Sequence, residues 1–220
     1  MFIPLQKIVK NSIGILLLPV TIICAVSVVS LLTKIRWYTY PQYLLVAGFF
    51  CYIIIFALNK SKSFSYIIGH ELLHAASSIL FGGKLLSIFV SHSKGSVSTT
   101  KGNFIISLIP YCIPFYALLL AIGYFFLSIF VNTRPLLPAC IFLLGFTLSQ
   151  HLVLTIIYAN TGQSDITSQG VIFSYTIIIL SNSIIITLLL NLFLTKISMA
   201  LFWQQSIQAT KQLFFMAVGY

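Results

Sequence analysis

Apolar residues run along this chain in long blocks, and the polar positions between them are few and clustered. Six blocks stand out: Ile13 to Leu32, Tyr43 to Leu58, Ser63 to Phe81, Phe104 to Val131, Ala139 to Ile157 and Val171 to Thr195. Most approach or exceed the roughly 20 apolar residues that a helix needs to cross a bilayer. The breaks carry turn chemistry: Tyr40-Pro41 before the second block, "NKSKS" before the third, Gly82-Gly83 after it, and "NTRPLLP" and "NTGQSDITSQG" on either side of the fifth. Gly82 stands where a left-handed helix terminator is expected. Pro110 and Pro114 predict a kink or a break in the fourth block, whose freed carbonyls must find partners on neighbouring helices or in a cavity. The pattern predicts an all-α integral membrane protein with about six transmembrane helices.

One connection differs from the others. "LLSIFVSHSKGSVSTTKG", Leu85 to Gly102, is rich in β-branched residues and serine, with Lys94-Gly95 near its middle. It predicts a β-hairpin directly after the third helix, with strands near Ser87 to His92 and Ser96 to Thr100. Such a hairpin serves either as a connector or as an edge on which an extended peptide can pair.

Composition agrees with a chain solvated by lipid. Of 220 residues, 59% are hydrophobic and only 6% charged, against about 25% charged in soluble domains; the mean hydropathy is +1.07. A net charge of +10 would suggest nucleic acid as the partner of a soluble protein. Here the cations lie mostly in the short connections, where they anchor helices at head groups, so the bilayer is the expected partner and nucleic acid is not. The first apolar run, preceded by Lys7 and Lys10, exceeds a cleavable signal core and reads as a retained anchor. With no repeat and no long linker, residues 1–220 read as one membrane-embedded domain of a multi-pass protein in the cell membrane. Cys24, Cys51, Cys112 and Cys140 fall in apolar segments without Cys-x-x-Cys spacing, as small core residues do.

The third block breaks the apolar pattern in a particular way. In "SYIIGHELLHAASSILFGGK" the only glutamate of the chain, Glu71, sits between His70 and His74. Residues four apart on a helix share a face, about 5–6 Å apart at their β-carbons. Two imidazoles so placed can converge on one zinc ion at about 2.0–2.1 Å, and a glutamate beside the first can take a proton from a metal-bound water. An unpaired charge at membrane depth costs about 2.5–3.5 kcal/mol even on the lenient scale, which makes function the default reading of such groups. The motif lies about 10 Å from either end of its helix at 1.5 Å per residue, so the site is expected inside the membrane slab, with Tyr66, Ser77 and Ser78 near the histidine face.

A catalytic zinc ordinarily takes three protein ligands and a water. The third ligand is sought among Asp165, His92, His151 and the cysteines. His92 belongs to the polar hairpin and reads as a surface residue. Asp165 is the only other carboxylate and opens the sixth predicted span, where it can be a ligand or a helix cap; ligand is the preferred reading. His151, in "LSQHLVLTIIY", is the rival ligand or a supporting group that stabilises an oxyanion, a role that Asn160 shares.

"GHELLHA", then a hairpin, a proline-broken span and "NTGQSDI" together resemble the site-2 protease family of intramembrane zinc metalloproteases, over roughly residues 63 to 175. The resemblance implies His70 and His74 as zinc ligands, Glu71 as general base and Asp165 as third ligand, in a metalloprotease-like core of about residues 63–195. Asp165 stands in Asn160-Thr-Gly-Gln-Ser-Asp165-Ile, without the proline or the Asp-Gly pair of the family. The chain therefore resembles an outlying, minimal member. The expected activity is hydrolysis of a peptide bond in a membrane-anchored or membrane-adjacent protein. The alternative is a metal-binding membrane protein without catalysis, a transporter or sensor.

Overall fold

The computed structural model describes residues 4–34, 40–59, 64–92, 94–194 and 197–218. Its elements are helix α1 (Leu5–Lys34), α2 (Tyr40–Asn59), α3 (Phe64–Leu80), strands β1 (Leu85–Val90) and β2 (Gly95–Thr99), then α4 (Phe104–Cys112), α5 (Phe115–Ser128), α6 (Leu137–Ala159), α7 (Ser164–Thr167), α8 (Val171–Phe193) and α9 (Met199–Val218). Contacts group these into two compact units, residues 1–38 with 170–220 and residues 39–169.

The first unit contains α1, α8 and α9. Gly14 on α1 lies so close to α8 that a β-carbon would press on the Phe173 backbone at 2.7 Å. Cys24, Leu31 and Phe202 form its core, and the Ser206 hydroxyl donates to Ser27 at 3.0 Å.

The second unit contains everything that carries candidate chemistry. Its frame is the pair α2 and α6, which touch backbone to backbone. A β-carbon on Gly48 would run into the Phe142 carbonyl, and one on Gly145 into the Leu45 carbonyl. Small residues permit this close approach of two helix backbones. Helix α3 packs against α4, α5 and the hairpin. It ends as the sequence predicts, with Gly82 at φ 74°. Gly82 N–H donates to Ile79 O and Gly83 N–H to Ser78 O, both at 2.8 Å, the pair of bonds that closes a helix on a left-handed residue.

The hairpin forms between antiparallel β1 and β2, with Val90 opposite Gly95 and Phe89 opposite Ser96. Its first strand starts earlier than predicted, and Gly95 is paired rather than part of the turn. The fourth predicted span is broken where the prolines stand. Ile113, extended at φ −104° and ψ 117°, precedes Pro114, as sterics before proline require. Helices α4 and α5 meet there at 74°.

Among the described residues four helices, in α1, α2, α6 and α8, are long and apolar enough to cross a membrane, or five spans if bent α4–α5 is one. Many of their large apolar side chains face outward, Leu16 at 77% and Leu58 at 80% exposure among them. The count differs from the expected six because α3 has only 17 residues. At 1.5 Å per residue it measures about 25 Å, short of the roughly 30 Å hydrocarbon layer. Two further elements depart from expectation. Asp165 does not open the sixth span: it lies in the separate turn α7, and Gly170 at φ 99° divides that turn from α8. Beyond the last predicted span the chain forms α9, whose polar positions in "WQQSIQATKQ" hid it from a search for apolar runs.

Candidate metal centre

Helix α3 buries Tyr66, Ile67, Gly69, Glu71, Leu73, Ala75, Ser77 and Ser78. The stripe is broad enough that His70 and His74, four residues apart, both point into the unit. Their Nε2 atoms lie 3.2 Å from each other. Asp165 Oδ2 approaches the same point, 3.6 Å from His70 Nε2 and 3.3 Å from His74 Nε2. Among the described residues these three are the group of His, Cys, Asp and Glu side chains that converges within 4.8 Å. A tetrahedral ion with bonds of about 2.0–2.1 Å has ligands about 3.3–3.4 Å apart. The triangle of 3.2, 3.3 and 3.6 Å has that size.

The hydrogen bonds behind the triangle fix what it presents. His74 Nδ1 lies 2.8 Å from the Ile106 carbonyl oxygen. A carbonyl can only accept, so Nδ1 carries the proton and the neutral ring offers its lone pair at Nε2. This is the outer bond that metal-binding histidines usually make. It exists because of Pro110. In a helix the Ile106 carbonyl would bond to the N–H of residue 110, and proline has none. The carbonyl that Pro110 frees on α4 is the one that orients His74.

A lone pair on His74 Nε2, a carboxylate oxygen and a second imidazole nitrogen then face one another at about the spacing of shared ligands. Such an arrangement needs positive charge at its centre, from a proton or a metal ion.

Beside the triangle opens a cavity of about 550 Å³, lined among others by His70, Glu71, Lys94, Gly95, Tyr111 and Gln163. Its size is ample for a segment of extended chain. Glu71 is 7% exposed and is covered by the hairpin: a β-carbon on Gly95 would collide with its carboxylate. Phe56, Tyr66, Leu154, Ile157 and Tyr158 add an apolar and aromatic part to its lining.

The remaining candidates are placed apart. His92 stacks on Phe64 at 4.6 Å at the exposed hairpin tip. His151 is buried on α6 and lines a small cavity with His70, outside the ligand triangle. Asn160 caps the C-terminus of α6 and is exposed. Ser77 and Ser78 bond to the His74 and Lys101 carbonyls and do not border the large cavity. Tyr111 was not legible in sequence. It is fully buried, stands edge-on to the His70 ring at 5.0 Å and directs its hydroxyl at Asp165 Oδ2 from 3.5 Å. A tyrosine in "IPYCIP" carries no pattern that announces this; only the break at Ile113–Pro114 delimits the short helix that holds it.

Comparison with protein-family models, curated proteins and solved structures finds no match to this chain.

Proposed function

We propose that this protein is a membrane-embedded zinc metalloprotease, an outlying and minimal relative of the site-2 protease type, that hydrolyses a peptide bond of a membrane-anchored or membrane-adjacent protein in the cell membrane. One observation carries the reading: His70, His74 and Asp165 form a triangle of tetrahedral size, and one of its members, His70, lines a cavity together with Glu71. Helix α3 counts in this reading as a short sixth membrane-embedded helix, packed against α4, α5 and the hairpin. Buried ionisable groups are tolerated at that depth when they serve function.

His70 Nε2, His74 Nε2 and Asp165 Oδ2 would hold the ion. Bound zinc supplies Lewis acidity, polarising a carbonyl and lowering the pKa of a coordinated water to about 7. Glu71 then takes the proton of the attacking water on its carboxylate and delivers it to the departing amine. The Tyr111 hydroxyl and the Ile106 carbonyl keep Asp165 and His74 in register. The hairpin offers backbone partners to a substrate segment that has left its own helix.

The test is zinc content together with turnover. Purified protein should contain about one zinc per chain, and the His70→Ala/His74→Ala form should contain none. Glu71→Gln should keep the zinc and lose cleavage by about 10²–10⁴-fold, the usual share of a general base. Equal metal in wild type and double variant would refute the metal site. A Glu71→Gln protein with undiminished function would make this a metal-binding transporter or sensor instead.

A further inference from the structure

The two histidines of the triangle are supported differently. His74 gives its second nitrogen to the Ile106 carbonyl. His70 Nδ1 is buried and has no protein partner, a costly state for a polar atom in a protein interior. Next to His70, between α3, α4, α5 and α6, lies a cavity of about 20 Å³. Neither His74, Asp165, Glu71 nor Tyr111 borders it, so of the triangle and its neighbours only His70 reaches this cavity. It is lined by Thr147, Gln150 and His151 besides Tyr66, Tyr116 and His70.

A water needs about 10–15 Å³ of such volume and two to four polar partners. This cavity has room for one water and not two, and its wall carries polar groups. His151 is itself 5% exposed, a buried imidazole that the proposed chemistry does not use.

We propose that one structural water fills this cavity and links His70 Nδ1 to the ring of His151, making His151 a positioning residue for the metal ligand His70. The water accepts from His70 Nδ1–H. It donates one hydrogen to a His151 ring nitrogen and has its other for Thr147 Oγ1 or the Gln150 side chain. His70 thereby presents its Nε2 lone pair to the ion, as the Ile106 carbonyl makes His74 do. Outer partners of this kind are typically worth about 10–100-fold in metal affinity. The effect on zinc rests on the zinc reading above; the water itself does not.

Two isosteric variants separate the role from mere packing. His151→Gln keeps a polar acceptor of similar reach, and His151→Met keeps the length without it. Measured by competition with a chelator, zinc affinity should fall about 10–100-fold in His151→Met and stay near wild type in His151→Gln. Equal affinity in the two variants would overturn the proposal. Should His151→Met fail to fold, proton NMR of ¹⁵N-histidine-labelled wild-type protein in detergent decides. The His70 ring N–H should show a cross-peak to a long-lived water, and its absence would refute the link. The NMR measurement is made on metal-free protein as well. A chain that binds no zinc yet shows the water cross-peak would sink the protease reading, and with it the positioning of a metal ligand, and leave the water link between His70 and His151 standing.

Discussion

At the scale of single residues, the candidate site is a set of backbone consequences. The two histidines were legible because helical spacing fixes their common face, and Asp165 because carboxylates are so scarce that few ligands remain. The partners that orient them were not. Pro110 announces a helix fault, but not that the carbonyl it frees would be taken by His74. That link predicts an outcome. Pro110→Ala restores an N–H to compete for the Ile106 carbonyl and relieves the roughly 3 kcal/mol that proline costs inside a helix. Helix α4 should become more stable while zinc affinity drops by up to about 10-fold, the lower end for an outer partner. Unchanged affinity in the Pro110→Ala protein would show that the Ile106 bond is incidental. Asp165→Ala, by contrast, should lose most of the metal, and a variant that kept one zinc per chain would remove Asp165 from the ligand set.

At the scale of elements, the hairpin and the broken fourth span followed from turn chemistry, because glycine and proline constrain the backbone whatever surrounds them. The limits of the sixth span did not. Apolar content alone cannot distinguish a helix that starts at Asp165 from a turn, a left-handed glycine and a helix that starts at Val171. The observed register sharpens the role of the hairpin. Ser91 N–H donates to the Lys94 carbonyl at 2.8 Å, and antiparallel pairs alternate between bonded and unbonded from there. Val90–Gly95 and Ile88–Val97 are then the unbonded pairs, with N–H groups directed away from the partner strand. Phe89–Ser96 is a bonded pair. Val97→Pro therefore removes one outward N–H without breaking the ladder, whereas Phe89→Pro breaks it. If substrate pairs with the outer edge of β2, Val97→Pro should slow cleavage in protein that retains its fold and its zinc. Unchanged kinetics in Val97→Pro would return that edge of the hairpin to the status of a connector.

At the scale of the whole molecule, all three candidate ligands belong to one of the two compact units, residues 39–169. The ion would join residues 70 and 74 on α3 to residue 165 on α7, closing a long loop whose entropy the fold otherwise bears. A ligand that binds only the folded state stabilises it by about 2.7 kcal/mol at one hundred times its dissociation constant, or about 100-fold in the local opening equilibrium. Stability is not uniform over a structure, so this gain should appear where the ion is held. Hydrogen exchange before and after a chelator reads it directly. Amides of α3, α4 and α7 should lose protection by up to about 100-fold, and those of α1, α8 and α9, which contribute no ligand, should not change. The His70→Ala/His74→Ala protein should be insensitive to the chelator throughout. Loss spread evenly over both units would mean that the chelator acts on the membrane or the detergent rather than on a bound ion. No loss in α3 and α7 would mean that the triangle holds a proton and not a metal.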